Sequence, residues 1–283
     1  MSQKHFKSSI VRFLLFLALV WLILILNCKT QKMPARWSKK PIEVDGQQAD
    51  WDNTSIGYFE DMGVQLGLCN DTERLYVIFR FSDPRWAQAI LMGGVTLWLD
   101  NSGKKNKDFG IRYSGGPSLS VLQNLGKGGF WDKLTSEQKE RLMDKQTSMA
   151  DQVTVVYKEK DQGIALPADG SSGPAVAFAD TQNIYTYEFS IPLKKSSVFS
   201  HALGVAPGQT IGIGLEWGGM DKEERQRMMK GMGGGRGVPP GGGGGGRGGG
   251  RGNRPGGGFR PQTPEKQEVW VKTKLALPPQ EQG

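Results

Sequence analysis

The sequence predicts an all-β protein, an antiparallel β-sandwich of jelly-roll kind with a helical insertion and a disordered glycine-rich loop. Three observations predict it. Eight short runs alternate apolar and polar residues with the period of two that puts every second side chain on one face of a sheet. Turn formers such as Asn70-Asp71 and Asp100-Asn101-Ser102-Gly103 separate them. Setting aside an apolar N-terminus and a glycine-rich tract, about 200 of the 283 residues remain, a natural size for one β-rich domain.

The chain opens with a basic stretch, residues 1–12, followed by an unbroken apolar run, FLLFLALVWLILIL, at 13–26. Fourteen residues rise ~21 Å as a helix, short of a ~30 Å hydrocarbon core, so 1–27 read as a signal peptide. Ile10 and Val11 before Arg12 leave an uncleaved anchor open. Cys28 follows in LILNCKT, which resembles the bacterial lipoprotein signal and implies a lipidated Cys28. Ile25 and Asn27 depart from the residues that signal prefers. Export would place the protein at the cell envelope, periplasmic or on the outer surface, with residues 28–37 as a polar tether. Cys69 then reads as a buried free thiol, with a Cys28–Cys69 disulfide as the alternative.

The sandwich is expected over 38–276. Its predicted strands are Val64–Asn70, Leu75–Ser82, Val95–Asp100, Asp151–Lys158, Ala175–Asp180, Ile184–Ile191, Thr210–Trp217 and Val269–Leu275. In the second, Leu75, Val77, Phe79 and Phe81 share a face; in the third, Val95, Leu97 and Leu99 oppose Thr96, Trp98 and Asp100. Residues 134–149 form the helical insertion, opened by a capping box of Thr135 and Gln138. Asp221–Lys230 has a short, charged helical pattern. Residues 231–258 hold 18 of the 41 glycines, cannot bury a core and read as a disordered loop before the last strand. Residues 277–283 are a tail.

The formal charge of +8 does not point to nucleic acid. Lys4, Lys7 and Arg12 lie in the signal, while Arg236, Arg247, Arg251, Arg254 and Arg260 lie in or beside the glycine tract. That tract resembles RNA-binding Gly/Arg segments, but its arginines are sparse and only Phe259 lies near them. Catalytic signatures are missing too: beyond the signal there is one histidine, His201, and the GGPSLS around Ser118 is not a nucleophile elbow. The loop 100–108 hints at calcium, yet Lys104 and Ile111 occupy positions five and twelve of an EF-hand, so a plain hairpin loop is favoured. No cofactor or metal is expected, with calcium or haem as alternatives. In IEVDGQQADWDN (42–53), Asp45-Gly46 reads as a turn, Trp51 as a plug at the sandwich edge, and Asp50 and Asp52 as solvated neighbours.

Seven tryptophans lie beyond the signal: Trp37, Trp51, Trp86, Trp98, Trp131, Trp217 and Trp270. Indole faces stack on the C–H-rich faces of sugar rings. Trp86 in a loop, Trp98 opposite the Leu97 face, and Trp217 at the end of its strand are the candidate ligand platform.

Several motifs follow one another along the chain: Ile42-Glu43-Val44-Asp45-Gly46 with Trp51, Leu75-Tyr76-Val77 running into Phe81-Ser82-Asp83, Val95 to Asp100, Tyr187-Glu188-Phe189-Ser190-Ile191-Pro192, and Pro207 to Gly212. Their order resembles family 9 carbohydrate-binding modules and the wider DOMON-like β-sandwiches. The resemblance implies the sandwich and a non-catalytic carbohydrate-binding role, with a polysaccharide or glycan as partner. It also admits a haem-binding, redox-associated domain, whose relatives use methionine with histidine or lysine although nothing marks Met62, Met92 or Met220 as such a ligand, or a structural envelope protein without a small ligand.

Overall fold

A computed structural model describes residues 31–51, 56–117, 135–158, 163–218 and 266–280. The predicted signal peptide, Cys28, Trp131, Met220, the Asp221–Lys230 helix and the glycine tract lie outside the described residues.

The molecule is a two-layer β-sandwich. Its strands are β1 (Gln31–Lys32), β2 (Arg36–Trp37), β3 (Ile56–Phe59), β4 (Val64–Asn70), β5 (Arg74–Phe81), β6 (Val95–Asp100), β7 (Phe109–Tyr113), β8 (Gln152–Tyr157), β9 (Ile164–Pro167), β10 (Ala175–Thr181), β11 (Ile184–Pro192), β12 (Thr210–Trp217) and β13 (Gln267–Lys274). Helix α1 spans Pro84–Gly93 and α2 Ser136–Ala150. One sheet runs β1-β13-β12-β6-β7-β8-β9; the other runs β10-β11-β5-β4-β2, with β3 also on β4. The ladders are antiparallel except where β1 meets β13 and β2 meets β4.

Every predicted strand is present to within two residues. The alternation that predicted them also built the core: Leu75, Val77, Phe79 and Phe81 from one sheet face Val95, Leu97, Leu99, Ile211, Ile213 and Leu215 from the other. The helical insertion is α2, between β7 and β8; the Thr135 hydroxyl accepts from the Gln138 amide (3.2 Å) while the Gln138 side chain accepts from the Thr135 amide (2.9 Å).

Three expectations need correction. Residues 31–37 are not a free tether. The two-residue strands β1 and β2 hydrogen-bond to different sheets, and Met33 and Ala35 between them are buried, so the segment straps the open edge of the sandwich. The segment around Trp86 is not a loop but α1, with Asp83 as N-cap accepting from the Arg85 amide (2.8 Å) and proline in the first turn. Trp51 does not plug an edge; it packs with Ile42, Cys69, Tyr76 and Ile78 on the outer face of the six-stranded sheet.

That corner is built around one carboxylate. Glu188 on β11 is 1 % exposed and points away from the core, opposite in parity to Tyr187 and Phe189. Its Oε1 accepts from the Trp51 indole N–H (2.5 Å), and its Oε2 from the Asp45 (3.0 Å) and Gly46 (2.8 Å) amides. Gly46 has φ +80° and a Cβ there would lie 2.5 Å from the Ala179 nitrogen, so the turn requires glycine. Burial pushes Glu188 up to about 7, against the pull of the three donors. Asp50 is exposed, as expected, and also accepts from the Glu43 amide (3.0 Å). Asp45, Asp50 and Glu188 therefore hold backbone in place.

Candidate functional site

Strand parity decides which tryptophans reach the surface. Trp217 shares the face of Ile211, Ile213 and Leu215; it is 1 % exposed and packs on Phe79 (ring centroids 5.0 Å) and edge-on to Trp86 (5.9 Å). Neither face is left for a ligand, which corrects its placement in a platform. Trp86, half-buried on α1, donates its indole N–H to the Met62 carbonyl (3.0 Å) and closes the core beneath the helix. Trp98 has the opposite parity. It lies half-exposed on the outer face of the seven-stranded sheet and does not meet the other two.

Trp98 sits in a row across four strands: Trp270 (β13), Gly214 (β12), Trp98 (β6) and Gly110 (β7). The glycines make room for the indoles. A methyl built on Gly110 would lie 2.7 Å from two carbons of the Trp98 six-membered ring, and one on Gly214 would lie 2.5 Å from the Trp270 ring. Trp270, 8 % exposed, is thus a second outward tryptophan two strands away, about 10 Å by sheet spacing. The alternation Val269, Trp270, Val271 carried that signal in the sequence.

A charged group surrounds the pair. Glu216 on β12 accepts from the Trp98 indole N–H (3.2 Å) and pairs with Lys107 (2.5 Å) and Lys266 (2.5 Å). Lys107 also pairs with Glu268 (3.1 Å) and stands 5.8 Å from the Trp98 ring centroid. Glu268 accepts from the Trp270 indole N–H. Burial raises Glu216, but the two lysines outweigh it and hold the carboxyl below the usual carboxylate range. Burial lowers Lys107, and Glu216 and Glu268 more than reverse it. Both groups are ionised at neutral pH. Beside Trp98, Arg112 donates to the Gly93 carbonyl (3.0 Å), with Thr96 and Thr154 flanking it in the next row of the ladder. A half-exposed indole ringed by fixed charges can stack on a flat apolar ring face and hydrogen-bond to hydroxyls around it.

The alternatives for metal and haem are placed as follows. Asp100 accepts from the Ser102 amide (2.8 Å), the Ser102 hydroxyl (2.6 Å) and the Asn106 amide (3.0 Å), so its carboxylate ties the hairpin loop together. Among the described residues no group of three or more His, Cys, Asp or Glu is arranged to hold a metal ion. Met62 lies under Trp86 in the β3–β4 turn, while the His201 Nδ1 is 2.8 Å from the Tyr157 hydroxyl beside β8.

No protein-family model matches the chain, and no curated protein does. Several solved structures are similar to it, among them the following three. A family 9 carbohydrate-binding module from Caldicellulosiruptor kristjanssonii in complex with glucose is 12% identical, with a TM-score of 0.34, covering 69% of this chain and 81% of that one. A structure of a family 9 module from the same organism with cellotriose is 14% identical, with a TM-score of 0.35, covering 68% and 80%. A Bacteroides uniformis protein described as carbohydrate-binding is 8% identical, with a TM-score of 0.37, covering 68% and 85%. At these values no site residue is transferred from them.

Proposed function

We propose that this chain binds carbohydrate, without catalysis, on the outer face of its seven-stranded sheet, and that it is exported and held at the cell envelope by its N-terminus. The observation that carries the binding role is Trp98. Its ring fills the gap above Gly110 in mid-sheet, and its surroundings are polar and ionised. An indole at such a position contributes little to the core, and the C–H face of a pyranose ring complements it. Glu216, Lys107 and Glu268 supply acceptors and donors at its rim for hydroxyls, with geometry preset by their mutual pairing. Export and anchoring rest on the apolar run 13–26 and Cys28.

A panel of soluble oligosaccharides and insoluble polysaccharides tests the binding role, with intrinsic tryptophan fluorescence and pull-down as readouts. Saturable binding that is lost in Trp98→Ala, with folding intact, is the expected result. Silence across the panel, or binding unaffected by Trp98→Ala, overturns it, and a Soret band in the purified protein would point to the haem-binding alternative.

A further inference from the structure

The strap at the sandwich edge carries more positive charge than its structural task needs. Lys32, Lys272 and Lys274 line a concavity on the β13 side, with Met33, Pro34, Thr210 and Thr273. On the β4 side, Arg36, Lys39 and Lys40 line a cleft of about 550 Å³ with the half-buried Trp37. All six cationic residues are exposed. Among the described residues Asp50 is the one acid lining either hollow, and it accepts from the Glu43 amide.

Covalent geometry says what faces this edge. Only four residues, 27–30, separate the apolar run ending at Leu26 from Gln31 in β1. Five Cα steps span at most about 18 Å, and the three steps from Cys28 about 11 Å. Whichever of the two enters the bilayer, β1 must lie within or beside the headgroup layer. The β1–β13 and β2–β4 pairings then fix which part of the sandwich comes with it. We propose that the strapped edge, with Lys32, Arg36, Lys39, Lys40, Lys272 and Lys274, docks on the anionic headgroups of the membrane that holds the N-terminus. This rests on the anchoring reading above and adds an orientation to it: the β1–β2 strap is the part of the sandwich that faces the bilayer. Each Lys or Arg beside an anionic bilayer surface contributes about 1 kcal/mol, so such an edge orients a protein that its N-terminus already holds.

Lysine acylation footprinting tests this on the full chain reconstituted in phosphatidylcholine vesicles, with and without phosphatidylglycerol. At low salt, Lys32, Lys39, Lys40, Lys272 and Lys274 should be about fivefold protected only in the anionic vesicles, the size expected for a cation held at such a surface. High salt should remove the protection. Lys158, at the end of β8 and five strands from β1, should label equally in both. If the chain floats with both vesicles but the five lysines label alike, anchoring stands and the docking proposal falls. If it does not float with neutral vesicles, the anchoring reading fails and takes the proposal with it. Equal protection by a soluble polyanion, dextran sulfate, on neutral vesicles would also overturn lipid docking, making the edge a general anion site.

Discussion

The two outer faces of the sandwich use the same pair of residues to opposite ends. On the six-stranded sheet an indole N–H meets Glu188, and on the seven-stranded sheet another meets Glu216. Trp51 and Glu188 are sealed under the corner 42–51, their other partners are backbone amides, and burial drives the carboxyl toward protonation. Trp98 and Glu216 are left half-open, their other partners are lysines, and the carboxyl is held ionised. A tryptophan–glutamate contact is therefore not a functional signature in itself. What covers it, and which charges surround it, decide whether it closes a fold or presents a surface.

That contrast can be broken from either side. The largest effect should come from Trp51→Ala, which empties the second hydrophobic cluster and leaves Glu188 short of a donor; urea denaturation should show a loss of about 3–5 kcal/mol, with sugar binding by the remaining folded protein unchanged. Glu188→Gln replaces one of the two acceptor oxygens with an NH2, setting a donor against either the Trp51 indole or the Asp45 and Gly46 amides, and should cost about 1.5–3 kcal/mol. Because the folded carboxyl is raised to about 7, its contribution is full at acid pH below the ordinary carboxylate range and is lost as pH rises through 7. Unfolding free energy measured from pH 4 to 8 should accordingly decline in the native chain and be flatter in Glu188→Gln.

On the open face the pattern should invert. Trp98→Ala should weaken glycan binding tenfold or more, about 1.4 kcal/mol, while stability changes by only about 1 kcal/mol. Gly110→Ala puts a methyl into the Trp98 ring and should weaken binding by displacing the indole, although Gly110 touches no ligand; near-ultraviolet circular dichroism would report the displacement. The smallest effect should be that of acid on Glu216. Its folded carboxyl is depressed, so its contribution persists above the ordinary carboxylate range and fades only as pH falls through the lowered value. Binding titrated from pH 8 to 5 should stay level; a drop within that window would mean that the lysines do not hold the charge.

Much of this was legible in advance. Alternation named eight strands and both faces of Leu75 to Phe81 and Val95 to Asp100, because a pleated strand has no other way to sort its side chains. Parity also speaks against Trp217 as a platform residue, since it belongs with Ile211, Ile213 and Leu215, and marks Trp270, which is not among the candidates, as pointing away from Val269 and Val271. Helix α1 carries its own marks, Asp83 and Pro84 ahead of Ala87 and Ile90 at helical spacing, but directly after a strand the Ser82-Asp83-Pro84 run has the composition of a loop. Strand β7 was hidden by Gly110 in mid-run and by the calcium-like look of the loop before it. The two-residue strands β1 and β2 are too short for any period to show.

The sequence by itself determined eight of the thirteen described strands, where the helical insertion is capped and which side of the alternating strands is apolar, because these depend on neighbours one to four residues away. It also set how close the apolar N-terminal run must lie to the first strand, since chain length bounds distance. Only the tertiary structure decided that Glu188 reaches back 137 residues to Trp51, that Gly110 and Gly214 leave room for Trp98 and Trp270, and that lysines from both ends of the chain gather at one edge. Those contacts depend on which strands pair and in what register, and no local pattern encodes that choice.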